Sequence, residues 1–523
     1  MALSQLRSSL EHNKISFTPG QRTFIWICVV LCLLPFVILS FFNVLAYDDY
    51  AAIDSIDRFG FIRTQQLIYT HWEGRFTSTF LSAACVKMGL LAKYYFLVFL
   101  LWSFCSWAAI NFLLRSINAH LLNKAFSKSG IALASLILLI LDLYAMAEMY
   151  SGIYWFSSTA TYQTAFILFL ILTGCLVRRF AVSMEGNGAG TALRPSRLRV
   201  ILLDGAIVFL CILTVGSNET SAVALTCLLL LLMGTYRNYH LPVPKCMFIY
   251  LGAVLLIGSI VVFTSGTMLY RHQVIQQRQT QNGVVLAIVL FRTLSVFYYV
   301  LKEPLFWAVA AAAFILGLRV ASISTLSGFA ATLRSRPFFV RGVAAVTMLV
   351  LCTLVPVLWV THGSIPERAL NQLTALTAFG LLALVFLAGI SNLSVAGSIL
   401  PVRQVSKLII IIIGCGLLAS DKYKEAWGNV LSGYFYHSIQ QERRQVFESA
   451  RLKNERVATI SSYESALEEK IRKVFPHGAP VTLKRWLIER PSLLYFDNEA
   501  EDHSGKYLLQ YYGLDSIRVE ARP

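Results

Sequence analysis

Residues 23–50 read TFIWICVVLCLLPFVILSFFNVLAYDDY: 24 uncharged residues, a tyrosine, and then two adjacent aspartates. A helix that crosses the hydrocarbon of a bilayer needs about 20 apolar residues, so 23–46 is long enough to span it. Arg7, Lys14 and Arg22 ahead of it give the outline of a secretory signal, but the apolar run exceeds the roughly 7–15 residues of such a signal's core. It reads as a first transmembrane helix that stays in the chain, with 1–22 as a cytoplasmic tail and Asp48–Asp49 emerging on the opposite face.

The rest of the chain continues the pattern. Of 523 residues, 56% are hydrophobic and 14% charged, against about 25% charged in a soluble domain, and mean hydropathy is +0.63. One globular core cannot bury that much apolar surface, which excludes a soluble enzyme and makes the bilayer the solvent for most of the chain. Further runs of spanning length lie at 94–114, 130–147, 160–177, 200–216, 221–235, 245–264, 304–319, 341–360, 372–392 and 406–419, for about eleven crossings in all. Two more apolar stretches, 76–92 and 284–301, carry Lys87 and Arg292 and abut other spans.

Charge decides where these two lie. The basic segments are the N-terminal tail, 115–128, 178–199, 237–245, 319–341 and 403–407. Basic loops stay in the cytoplasm, and all six do so if 76–92 and 284–301 lie along or dip into the outer interface. The net charge of +17 then belongs to cytoplasmic loops, and nucleic acid is not an expected partner. The loops 47–75, 148–163, 216–220, 264–283 and 361–371 share the outer face with residues 421–523. That last segment carries 16 Lys+Arg and 15 Asp+Glu, a balance expected of a small external α+β domain. A polar helical pattern from His437 to about Lys470 leads there into strand-like pieces at 479–496 and 516–520. The ten cysteines all fall in or beside apolar runs with no CxxC or Cys/His spacing, so neither a disulfide framework nor a zinc site is expected.

The outer loops hold the residues with chemistry. Adjacent carboxylates at Asp48 and Asp49 suit a general base for a hydroxyl, or a divalent cation such as Mg or Mn; the bland alternative is a solvated acidic cap. His71-Trp72-Glu73-Gly74-Arg75 joins an interface-seeking tryptophan to an arginine able to grip an oxyanion. Glu148 ends a membrane helix, where charge is costly, and Tyr154, Trp155 and Tyr162 follow as a sugar-stacking platform or an interfacial aromatic belt. Asn218-Glu219 occupies a connection of about five residues, as a functional pair or as a turn with a capping Asn. Arg271 and Arg368 each follow an outward helix, where they would hold a phosphate or snorkel to lipid headgroups.

This arrangement resembles the GT-C superfamily of integral membrane glycosyltransferases. The resemblance rests on Asp48-Asp49 after the first span, the interfacial stretch 51–92, and a soluble domain after the last span. More locally, the short motifs at 48–50, 72–75, 153–155, 217–219 and 366–368, ending in Tyr511-Tyr512-Gly513-Leu514-Asp515-Ser516-Ile517, look like a bacterial branch linked to surface polysaccharide. The resemblance implies a polyprenyl-phosphate sugar as donor and a glycan or lipid-linked acceptor at the outer face of the inner membrane. Asp48 or Asp49 would be the base and an inverting displacement the reaction, with Glu219 also catalytic. Arg75, Arg271 and Arg368 would hold the donor phosphate, and Trp72, Glu73, Glu148, Tyr154, Trp155, Tyr162 and Asn218 the substrates. The absence of a strict Asp-x-Asp leaves the metal open. An O-antigen-type polymerase or ligase, a transporter or flippase, and a scaffold using the tail are the competing readings.

Overall fold

The computed structural model describes residues 19–46, 48–122, 124–185, 196–238, 242–264, 268, 282–321, 336–361, 367–392, 402–476, 478–481, 483, 484, 487 and 506–520. The first half comprises α1 (Pro19–Phe41), α2 (Asp48–His71), α3 (Phe76–Lys87), α4 (Leu90–Tyr94), α5 (Leu97–His120), α6 (Lys128–Ala145), α7 (Thr164–Glu185), α8 (Arg197–Val215), α9 (Glu219–Asn238) and α10 (Lys245–Val262). Then come α11 (Asn282–Leu301), α12 (Pro304–Ala321), α13 (Arg336–Thr361), α14 (Glu367–Ser391), α15 (Val402–Ala419) and α16 (Asp421–Leu452). The chain ends in β1 (Val457–Ser461), α17 (Tyr463–Val474), α18 (Lys506–Tyr512) and β2 (Ser516–Glu520).

Among the described residues, nine helices are long and apolar enough to cross a membrane: α1, α5, α6, Phe156–Phe180, α8, α9, α10, α12 and α14. Their surfaces are inverted relative to a water-soluble protein. Phe24 and Trp26 of α1, Ile201 and Leu202 of α8 and Leu255 and Leu256 of α10 are exposed, while the interior holds hydrogen-bonded pairs such as Gln163 with Ser106 and Asn111 with Ser135. Such continuous outward apolar surface is unsustainable in water and natural in lipid, where polar groups pair inside the bundle. The protein is therefore a polytopic α-helical membrane protein.

Among the described residues nine helices, or ten if α15 and α16, which meet at a bend of 56°, form one span, have the length and apolarity of a crossing, beside the roughly eleven runs expected from the sequence; of α13 only the shorter apolar part Phe339–Val355 enters that comparison. As expected, the stretch 76–92 is not a spanning helix: it breaks at Gly89 (φ 68°) into helices of 12 and 5 residues, and 12 residues rise only about 18 Å. By contrast, 284–301 lies within a 20-residue helix packed along α13 and α14. Its apolar described part, Ala287–Leu301, is shorter than the nine spanning candidates.

A close helix approach joins α12 to α14. Gly317 and Gly389 face each other there, and a methyl group on either would run into the backbone carbonyl of Phe386 or Phe314. Small residues let backbones approach where lipid supplies no hydrophobic drive between helices. Gly317→Ala and Gly389→Ala should each cost about 1–3 kcal/mol through overpacking, seen as a lowered thermal midpoint. Gly414→Ala, with open space around it, should change little.

The tail also differs from expectation. The helix that begins at Asp421 stops at Leu452, and Asn454 takes a left-handed conformation (φ 56°) before β1. Left-handed residues of this kind end helices, and the β-branched VATIS segment then pairs in parallel with β2, Val457 opposite Ser516. The strand expected at 516–520 is present; within 479–496, positions 479 and 480 are neither helix nor strand, 481, 483, 484 and 487 are helical, and the others lie outside the described residues. Helix α16 packs along α1, and its Phe435, Tyr436 and Ile439 share one buried cluster with Phe36 and Leu39. Tyr511 and Tyr512 of α18 rest on Tyr50 of α2.

Candidate functional site

The beginnings of α2, α9 and α14 meet the irregular segment 150–163. That segment forms two wide π-turns, Tyr150–Tyr154 and Thr159–Gln163, around a single helical turn, Phe156–Ser158. Wide turns leave some backbone groups outside the regular ladder, and the first amides of any helical turn lack an internal partner. Asp49 takes up these amides. Its Oδ1 accepts from Ser157 N (3.1 Å) and Ser157 Oγ (2.7 Å), and its Oδ2 from Tyr95 Oη (2.5 Å) and Ala46 N (3.4 Å). The residue is fully buried, and burial pushes its carboxyl up to about 6 despite these donors.

That shift has a stability consequence. The folded chain keeps the Asp49 proton up to about 6, whereas the unfolded chain releases it near 3.8. This group's contribution to stability therefore falls as pH rises across that window. Asp49→Asn should flatten the corresponding slope in thermal midpoint against pH.

Asp48 differs from its neighbour. It is half-buried, and no side chain among the described residues donates a hydrogen bond to it. Burial raises its carboxyl above the ordinary range while the positive charge of Arg368 pulls the other way. Arg368 begins the apolar part of α14, its guanidinium lies 4.8 Å from the centre of the Trp155 ring, and its Nε is buried without a hydrogen-bond partner.

A second charged group lies beside this pair. Arg75 bridges two carboxylates, Glu73 at 3.1 Å and Glu219 at 3.0 Å. Burial raises the Glu73 carboxyl against the pull of Arg75, with Glu219 and Asp48 adding repulsion. Burial disfavours the Arg75 charge, yet Glu219 and Glu73 hold it firmly protonated. Glu219 opens α9, where a carboxylate suits the positive end of the helix dipole.

The other expected residues divide between site and scaffold. Asn218 is a buried helix cap: its Oδ1 accepts from Ser221 N at 2.8 Å, and its Nδ2 donates to Thr161 O at 3.1 Å. Glu148 is half-buried and tied through its backbone to Asn371 and through its carboxylate to Ser151. Trp155 forms the floor under Arg368, and Tyr162 is buried in the second π-turn with an electrostatic coupling to Arg75. The stacking role expected of Tyr154 is corrected, since its ring is fully buried against Phe99 and its hydroxyl donates to Phe36 O. Trp72 is 53% exposed, as befits an interfacial aromatic. Arg271 lies outside the described residues.

Four residues escaped the sequence reading: Tyr95 and Ser157, which hold Asp49, and Asn371 and Gln372, which tie α14 to Glu148 and to the Asn218 cap. For the last two a signal was present. Arg368, Asn371 and Gln372 stand at i, i+3 and i+4, one polar face at the head of an apolar helix.

The donor set does not suit a divalent cation. Both Asp49 oxygens are engaged by protein donors, and among the described residues no group of three or more His, Cys, Asp or Glu is placed to hold a metal. What the arrangement offers is one carboxylate with a raised proton affinity beside a guanidinium with open hydrogen-bonding capacity, a base next to an oxyanion holder. Comparison with known proteins adds no relative: no family model matches the chain, and no curated protein or solved structure matches it significantly.

Proposed function

We propose that the protein is a GT-C-type membrane glycosyltransferase that moves a sugar from a polyprenyl-phosphate donor to a surface-glycan or lipid-linked acceptor at the outer face of a bacterial inner membrane. The observation that carries this reading is the pairing of Asp48 with Arg368, each with hydrogen-bonding capacity unused among the described residues, at the head of the bundle. In the proposed reaction the Asp48 carboxylate removes the proton of the acceptor hydroxyl as its oxygen attacks the anomeric carbon with inversion. The bond to the lipid phosphate breaks, and the phosphate leaves with its negative charge held by Arg368. Arg75, fixed between Glu73 and Glu219, shapes the field around the site. No step passes through a metal.

The test is consumption of a panel of polyprenyl-phosphate sugars by the purified protein, with candidate glycan acceptors present. One donor should be consumed, and turnover should survive EDTA. The rate should fall as pH drops through a carboxylate pKa raised above the ordinary range, since protonated Asp48 cannot act as a base. If folded protein consumes no lipid-monophosphate sugar, the donor assignment is wrong, and polymerase, ligase or transport activity becomes the reading to test. Loss of turnover in EDTA would overturn the metal-free step.

A further inference from the structure

A cavity of about 260 Å³ lies on the other side of the Asp48–Tyr50 turn. Its floor is the segment Asn43–Ala46, which leaves the end of α1, and its walls come from the 91–96 segment, α16 and α18. Tyr95 belongs to both places: it lines the cavity and donates to Asp49.

The lining is cationic. Lys93, Arg443 and Arg444 contribute to it, and no carboxylate does. His437 also lines it, but one ring nitrogen meets Phe42 O and the other Gln441 Nε2, so the charge comes from the lysine and the two arginines. Arg443 is 4% exposed and fixed by donation to Ser461 O. Lys93 is exposed and makes no ion pair or hydrogen bond among the described residues. Arg444 pairs with Glu448 at 2.9 Å, with half of each side chain in solvent, and exposed pairs of this kind are readily exchanged. The cavity also has an apolar edge: Phe41, 53% exposed, stacks on Phe96 with ring centroids 5.2 Å apart, where α1 ends. Phe41 ends a candidate spanning helix, and at such helix ends long cationic side chains reach toward lipid headgroups beside aromatic rings.

We propose that this cavity binds a phosphate group, with Lys93, Arg443 and Arg444 as its cationic ligands and the Phe41–Phe96 edge turned toward the lipid chains. A fixed arginine with two more adaptable cations is an arrangement that suits a phosphate oxyanion. The phosphate is carried either by a lipid headgroup or by a soluble compound. This inference is independent of the transfer reaction.

The test is titration calorimetry of the full chain in neutral detergent, with dihexanoyl phosphatidylglycerol as one probe and inorganic phosphate as the other. The proteins are wild type, the Lys93→Ala/Arg444→Ala double variant, and Lys424→Ala as a control on an exposed lysine away from the cavity. Saturable binding is expected in wild type and Lys424→Ala, weakened by about tenfold or more in the double variant, with thermal midpoints unchanged. Binding of the lipid without competition from inorganic phosphate identifies a headgroup; competition at similar concentration identifies a soluble phosphate. If the double variant does not fold, Lys93→Gln, at an exposed position, should still weaken binding severalfold. No saturable binding of either probe by wild type, or equal binding by wild type and the cavity variants, overturns the proposal.

Discussion

Asp48→Asn is expected to reduce glycosyl transfer by about 10²–10⁴-fold, the usual contribution of a positioned base, while leaving the thermal midpoint nearly unchanged. The amide keeps the shape of the side chain and removes only the group that takes the proton, and no described side chain donates to Asp48. Asp49 should behave in the opposite way. Asp49→Asn retains one oxygen for the Ser157 donors and presents an amide to Tyr95, whose hydroxyl can accept, so activity within about tenfold of wild type is expected. Asp49→Ala strands the Tyr95 hydroxyl and both Ser157 donors in a fully buried site, a loss on the order of 3 kcal/mol from unsatisfied polar groups. Turnover measured beside a melting curve separates the two residues. A dead but folded Asp49→Asn with an active Asp48→Asn would reverse the assignment.

Arg75→Ala should be the most destabilising single change among the charged residues of the site. It leaves Glu73 and Glu219 facing each other without the cation that both contact. Breaking a fully buried pair costs roughly 3–5 kcal/mol. Here 24%, 23% and 19% of the Arg75, Glu73 and Glu219 side chains remain exposed, so solvent screening reduces the expected loss to about 2–3 kcal/mol. Adding Glu219→Gln to Arg75→Ala should restore part of the loss by removing the repulsion. Strict additivity in that double-mutant cycle would show that the three groups are not coupled.

The membrane class was legible because a run such as 23–46 is itself the physical cause of insertion: length and apolarity are properties of the segment alone. The apolar stretch 76–92 has a local reason not to span, a break at Gly89. A misreading arose where a local pattern had two solutions. In the tail, one helix was expected through Lys470, but the chain turns at Asn454 and 457–461 becomes a strand because 516–520 lies beside it. Strand pairing across 59 residues has no local signature.

The site shows the same division. Residue types and their place between the apolar runs can be read from the chain, which is why Asp48, Glu73, Arg75, Glu219 and Arg368 stand out in it. Which aspartate is anchored could not be read. Asp49 is claimed by Tyr95, 46 residues away, and by Ser157, 108 residues away, whereas Asp48 stays half-buried within electrostatic reach of Arg368. The sequence alone determined that the chain lives in lipid and that its acids and arginines gather in the loops between spans, because insertion and charge sidedness are local properties. Only the tertiary structure decided which carboxylate is buried in hydrogen bonds and which is left with proton-accepting capacity. That difference depends on desolvation and donor placement, which arise when distant segments pack together.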